Sequence, residues 1–260
     1  MIRRLPLVVG AAGAVLALTG CSSSVAEPST PVDAASRPTV VLTVGAASSL
    51  TNVFAQIGEA FMRDHPGVTL RFSFAASSSV AAQIEQGAPL DVFASAGTTA
   101  MQPVADAGLV SDVRAFATNS LGIATPPGNP AGVSGLEDLP GVSVLVCQPQ
   151  VPCGGAASAL FDLNELAVEP VSLEPDVRSV LTKIEADEAD AGIVYVTDLR
   201  EAGDRVVGIE IPAARNVSTT YQAATVTSSP HAAEAGAFVA FLTSPEAQAV
   251  LSAAAFAPAP

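Results

Sequence analysis

Tryptophan is absent from this 260-residue chain, histidine and tyrosine occur twice each, and cysteine three times. Each scarcity excludes something. His65 and His231 have no partner at metal-ligand spacing, so a histidine metal centre is not expected, and both read as surface or cap residues. The serines have no paired histidine to act as base, which disfavours nucleophilic catalysis. Basic residues are few, 11 Lys+Arg against 25 Asp+Glu, and the formal charge of −14 excludes nucleic acid as a partner, because phosphate binding needs a basic footprint. Any bound anion must therefore be held by local dipoles against a repelling overall field. No GxSxG elbow, P-loop or GxGxxG is present. The segment CGGAASA from Cys153 lacks the arginine of a cysteine-phosphatase loop. The carboxylates of Glu185, Asp187 and Glu188 lie in a polar stretch and read as a solvated face. The chain is not expected to be an enzyme, nor to need a cofactor.

What is present is apolar: 49% of residues are hydrophobic, enough for one large domain or two lobes with real cores. Arg3 and Arg4 precede an apolar run, 5–18, too short for a confident membrane span, and it ends in Leu18-Thr19-Gly20-Cys21. Residues 1–20 read as a signal peptide closing in a bacterial lipobox, with Cys21 the lipidated residue. An ordinary secretory signal with an incidental cysteine is the alternative. Residues 22–38, rich in Ser, Pro, Ala and Thr, read as a flexible tether. The expected location is the extracytoplasmic side of the cell membrane, held through a lipid on Cys21. There Cys147 and Cys153, six apart, form either a small disulfide loop around Pro149 and Pro152 or two free thiols.

The stretch VGAASSLTNVFAQIGEAF, residues 44–61, organises the rest. It runs from the end of a strand (40–44) through the small-residue turn Gly45-Ala46-Ala47 into a helix with Leu50, Val53, Phe54, Ile57 and Phe61 on one face. Ser48 and Ser49 stand where that helix starts. The pattern recurs: a period-two strand, Val68 to Phe74, is followed by Ala75-Ala76-Ser77-Ser78-Ser79 and a short helix ending at Gly87. Further strands are expected at 89–94, 116–125, 142–146, 191–196, 206–211 and 218–226. Helices are expected at 98–107, 156–166, after Asp176, and at 230–242 and 245–256. Alternating strands and helices imply α/β architecture with mostly parallel sheets, which bind ligands at the carboxyl ends of their strands.

A strand feeding a helix through a serine turn leaves unpaired N–H groups at the positive end of the helix dipole. Ser49, Ser77, the Cys153–Gly155 turn and the Asp176–Val177 helix start are four such places, and Tyr195 adds a phenolic donor at a strand end. Each has a plainer reading: the serines as N-caps, the tyrosine as a half-buried core residue. Five neutral donors suit a fully deprotonated oxyanion, which presents only acceptors.

The segments AASSLTNVFAQI, FAASSSVAAQIEQGAPLDVFASA, VPCGGAA, PDVRSVL and AGIVYVTD, in that order, resemble the periplasmic molybdate-binding proteins of ABC transporters. The resemblance runs from about Val40 to near the C-terminus. It implies a two-lobed periplasmic-binding-protein fold of type II, with lobe one at 39–120 plus 220–260 and lobe two at 121–219. It implies molybdate or tungstate as ligand. Hydroxyl and backbone N–H come from Ser49 and Ser77, backbone N–H from Cys153 and Val177, and the hydroxyl from Tyr195, with serine capping a by-product. The family often has alanine at the position of Cys153, where only the N–H is used; a Cys147–Cys153 bridge would stiffen that loop. The implied partners are a membrane permease with its ATPase, and a monomer is expected. The rivals are a receptor for sulfate, phosphate or a small organic anion, a hydrolase using Ser49 or Cys153, and an interaction or sensor protein without a small ligand.

Overall fold

The computed structural model describes residues 39–260. The expected signal segment 1–20, Cys21 and the tether 22–38 lie outside the described residues. Strand β1 (Val40–Ala47) runs into a 3-10 turn, Ser48–Leu50, that continues as α1 (Thr51–Asp64). Helix α1 buries Val53, Phe54, Ile57 and Phe61, the apolar face expected from the spacing. Its ring cluster joins Phe72, Phe116 and Phe238 at centroid distances of 5.2 to 6.3 Å. With no tryptophan available, these phenylalanines supply the bulk of this core, each worth roughly 1.5–3 kcal/mol when fully buried.

Strands β2 (Val68–Ala75) and β3 (Val92–Ala96) flank β1 and run parallel to it. Between them lies α2 (Ser77–Glu85), and after them α3 (Thr98–Asp106). Ala47 pairs with Ala75, so the serine turns that follow β1 and β2 emerge side by side at the carboxyl end of the sheet. Strand β4 (Val110–Thr125) is longer than the 116–125 expected and is shared: its first part pairs antiparallel with β9 (Ser218–Val226), its last residues with β7 (Ala191–Tyr195).

The second half repeats the logic of the first. Strand β5 (Val144–Cys147) pairs in parallel with β6 (Ser172–Glu174) and with β7. Helices α4 (Pro152–Leu163), α5 (Val177–Glu185) and α6 (Val196–Ala202) start close to the ends of β5, β6 and β7. Strand β8 (Val207–Glu210) adds to β4, and α7 (Ala232–Phe241) and α8 (Pro245–Ala253) close the first half. The strand order is β2-β1-β3-β9-β4-β7-β5-β6, with β8 off that path. Four of the eight pairings are parallel; the other four all involve β4 or β9, each of which runs against every strand it pairs with, including the other.

The hydrophobic cores follow the same division. One cluster, Ala76 apart, draws its buried members from residues 121–211; the other two draw on 42–110 with Phe116, Ala117 and residues beyond 220. Strands β4 and β9 belong to both halves. Among the described residues, no helix is long and apolar enough to cross a membrane.

Candidate functional site

The carboxyl ends of β1, β2 and β3 in one half face those of β5, β6 and β7 in the other, and a small cavity lies between them. All five residues singled out from the sequence line it: Ser49, Ser77, Cys153, Val177 and Tyr195. The cavity is about 20 Å³, where one water needs roughly 10–15 Å³, so only a small solute has room there. Its lining contains no Lys, Arg or His.

The donors come from helix starts. Ser77, Cys153 and Val177 are first-turn residues of α2, α4 and α5, and Ser49 sits in the turn that opens α1. The neighbouring N–H groups are occupied: Ser79 and Val80 bond Ala76 O, Gly154 and Gly155 bond Val151 O, and Ser179 bonds Asp176 Oδ1. The N–H groups of Ser77, Cys153 and Val177 come first in their helices and have no intrahelical acceptor. Asp176, expected as an N-cap, is one: it lines the cavity, and its carboxylate accepts from Ser179 N–H at 3.0 Å.

The serines are not caps. The cap positions are Ala47, Leu50 and Ala76, and none uses a side chain. Ser49 Oγ instead meets Tyr221 Oη at 2.8 Å, and Ser77 Oγ accepts from Ala96 N–H at 2.9 Å. The expectation that capping would accompany ligation is thus corrected, because each hydroxyl is held by a neighbouring strand, β9 or β3, rather than by its own helix. Ser77 is 1% exposed and Ser49 6%. With a lone pair of Ser77 Oγ taken by a donor, its proton is left for the cavity.

Helix α4 starts at Pro152, four residues before the expected 156, which puts Cys153 in its first turn. Cys147 and Cys153 are bonded to each other, Cα to Cα 5.7 Å, so Cys153 presents no thiolate. The bridge folds the loop back onto the helix: a Cβ on Gly154 would stand 1.9 Å from Gln148 O, so only glycine fits there.

Tyr195 is 1% exposed and its hydroxyl has no hydrogen-bond partner. Burial raises its pKa, so it stays a protonated donor. A buried unpaired hydroxyl costs about 1–3 kcal/mol, and an acceptor in the cavity would recover it. The expected result for Tyr195→Phe is therefore a split: the ligand-free protein unfolds at the same or a higher temperature, while oxyanion affinity falls about tenfold to a hundredfold. Calorimetric unfolding and titration of the same sample read both.

Residues that sequence reasoning did not single out surround the site. Asp198, in the first turn of α6, accepts from Tyr195 N–H at 3.0 Å and lies 3.9 Å from Arg178 Nε. Arg178 forks onto Glu201 and also donates from Nε to Ser48 O at 3.3 Å, joining α5 to the turn after β1. Tyr221 and Asn119 stand behind Ser49. The faint signals for these were polar residues inside apolar strands and a charge set directly beside Val177.

Burial pushes the Asp198 carboxyl up to about 7, outweighing the pull of Arg178 and of the Tyr195 N–H. The folded protein thus holds a proton that the unfolded chain, with a pKa near 3.8, has released. Stability from this group is present in full below about pH 4 and is lost as pH rises through 7. About three units at 1.36 kcal/mol each make the loss up to about 4 kcal/mol. Urea unfolding at pH 5 and 8 should show the wild type weakening over that range and Asp198→Asn weakening much less.

Two packed halves, with a donor-lined cavity between the carboxyl ends of their strands, define a two-lobed receptor that encloses a small solute. The chain belongs to the family of bacterial extracellular solute-binding proteins, whose model matches residues 42–257. Over 245 residues it is 40% identical to the molybdate-binding protein ModA of Mycobacterium tuberculosis (strain H37Rv), covering 93% of this chain and 92% of that protein. It is 27% identical over 257 residues, 96% of each chain, to the putative ABC transporter substrate-binding lipoprotein YvgL of Bacillus subtilis. The solved periplasmic molybdate-binding protein of Azotobacter vinelandii has the same fold: TM-score 0.74 over 84% of this chain and all of that one, at 21% identity.

Proposed function

We propose that this chain captures molybdate, and tungstate with it, outside the cytoplasmic membrane and delivers it to an ABC transporter permease and its ATPase. The observation that carries the reading is the convergence of two serine hydroxyls, the unpaired Tyr195 hydroxyl and three first-turn N–H groups on one small cavity without a cationic side chain. Such a set of donors neutralises a fully deprotonated oxyanion by dipoles alone. The name of the 40% identical relative supports molybdate as that anion. Selection against sulfate rests on size, since a smaller anion leaves some donors out of reach.

The ligands we assign are Ser49 and Ser77 through hydroxyl and N–H, Cys153 and Val177 through N–H, and Tyr195 through its hydroxyl. Lobe one comprises 39–120 and 220–260, lobe two 121–219, limits supported by the division of the cores. Closure of the lobes buries the anion and signals loading to the permease. The chain works as a monomer tethered by lipid on Cys21, a reading supported by the Leu18-Thr19-Gly20-Cys21 sequence and by the lipoprotein among its relatives. It performs no catalysis.

Calorimetric titration of residues 39–260 with molybdate, tungstate, sulfate and phosphate tests the ligand. Tight one-to-one binding of the first two alone is expected; binding of sulfate or phosphate instead would keep the receptor and overturn the specificity. Incorporation of labelled palmitate in cells, lost in Cys21→Ala, tests the anchor.

A further inference from the structure

The direction in which Ser49 donates is set from outside the cavity. Asn119 Oδ1 lies 3.0 Å from Ser120 N–H. A backbone N–H only donates, so this bond fixes which way the amide faces and turns Nδ2 to the other side. There Nδ2 is 2.8 Å from Thr197 Oγ1 and 3.4 Å from Tyr221 Oη. The amide nitrogen also only donates, so Tyr221 Oη accepts from it. Tyr195 Oη lies near that oxygen but makes no hydrogen bond to it, so the phenol proton goes to Ser49 Oγ, 2.8 Å away. Ser49 accepts from Tyr221, and its own proton is left to point at the cavity.

Every member of this chain of bonds is buried: Tyr221 is 0% exposed, Asn119 4%, Ser49 and Thr197 6% each. Tyr221 and Asn119 are closed to solvent, and Ser49 meets only the cavity, so the order among them is kept. Asn119 lies on β4 and Tyr221 on β9, the two strands shared by both halves, so the order is anchored in the scaffold and not in a mobile turn. Rings of Phe116, Tyr195 and Phe256 meet Tyr221 edge-on at 6.2, 6.1 and 5.2 Å and fix where its hydroxyl points.

We propose that Asn119 and Tyr221 are positioning residues that hold Ser49 as a donor, and that this polarity selects fully deprotonated oxyanions over those that still carry a proton. An anion bearing its own O–H meets the Ser49 proton head-on and finds no acceptor. A bare oxyanion meets a donor already turned towards it, with no reorientation to make on binding. The inference rests on the oxyanion-receptor reading and deepens it.

The test is titration of residues 39–260, the segment that holds all three hydrophobic cores, with molybdate and with hydrogen phosphate at pH 8. Four proteins are compared: wild type, Tyr221→Phe, Asn119→Asp and the double variant. Tyr221→Phe keeps the ring packing and frees Ser49 to turn. Its molybdate affinity should fall about tenfold, and the ratio of molybdate to hydrogen phosphate affinity should fall with it. Asn119→Asp replaces the donor by an acceptor and reverses the order: Tyr221 donates to the carboxylate and Ser49 donates to Tyr221. The proton is withdrawn from the cavity, and molybdate affinity should fall about a hundredfold. Adding Tyr221→Phe to Asn119→Asp removes the oxygen that draws the Ser49 proton away, so affinity should recover to that of Tyr221→Phe alone.

A purely structural role, or simple repulsion by the new carboxylate, predicts no such recovery. Wild-type-like molybdate binding by Asn119→Asp, an unrelieved loss in the double variant, or an unchanged anion ratio in Tyr221→Phe each overturns the inference. Failure of the wild type to bind any oxyanion sinks the receptor reading itself. Thermal unfolding of each variant separates lost binding from lost fold.

Discussion

Joint replacement of Ser49 and Ser77 by alanine should lower molybdate affinity by a factor on the order of a thousand. In the proposed site each hydroxyl donates to a fully charged oxyanion away from solvent, and a hydrogen bond to a charged group is worth about 1.5–3 kcal/mol. Two of them amount to about 3–6 kcal/mol, and each 1.4 kcal/mol is tenfold in the dissociation constant. The substitutions also cost stability, by a different route. Ser77→Ala leaves the buried Ala96 N–H without its acceptor, and Ser49→Ala does the same to the Tyr221 hydroxyl. Each orphaned group costs about 1–3 kcal/mol. Titration and calorimetric unfolding should therefore both move. Retention of molybdate affinity within tenfold in the double variant would remove the hydroxyls from the site, whatever happened to the melting temperature.

Arg178→Ala should be the most destabilising single change near the cavity. The guanidinium forks onto Glu201, faces Asp198 and bonds the Ser48 carbonyl, so its loss uncovers two carboxylates and unties α5 from the turn after β1. Removing one partner from a buried ion pair costs about 3–5 kcal/mol, because the remaining charge is left without compensation. Asp198, 1% exposed and with its carboxyl at about 7, carries most of that penalty above about pH 8, where it is ionised; at lower pH it takes up a proton instead. It follows that Asp198→Asn should relieve part of it. The double variant should lose clearly less stability than the two single losses added together, the sign of an interacting pair. Additive losses measured by urea unfolding would mean that Arg178 and Asp198 do not act on each other. Because the Ser48 bond spans the two halves, Arg178→Ala should also release molybdate faster than the wild type, read by stopped-flow displacement.

Much of this was legible along the chain. The apolar face of α1, the period-two pattern of β2 and the serine turns after β1 and β2 are local patterns, set by residues a few positions apart. Strand β9 has the bounds expected for it, 218–226. Short elements escaped: β6 is three residues long, and α6 begins directly where β7 ends, so neither develops a period. Helix α4 was expected four residues late because Pro152-Cys153-Gly154-Gly155 reads as a turn, and proline is at home in a first helical turn. The pairing direction of β4 and β9 was not legible at all, since strand pattern reports burial and not polarity.

The site divides in the same way. Sequence by itself determined which backbone groups would be unpaired, because a helix start leaves its first N–H groups free wherever it lies. It therefore named Ser49, Ser77, Cys153 and Val177 as places that offer donors. Only the tertiary structure decided that four helix starts from two halves of the chain meet at one cavity, that the serine hydroxyls answer to β9 and β3 instead of their own helices, and that Asn119, Tyr221, Arg178 and Asp198 stand behind them. Those bonds join residues 19 to 172 positions apart, and chain patterns carry no record of distance across the fold. Hydroxyl direction is set by what lies on the far side of each oxygen, and that is decided only when the strands have packed.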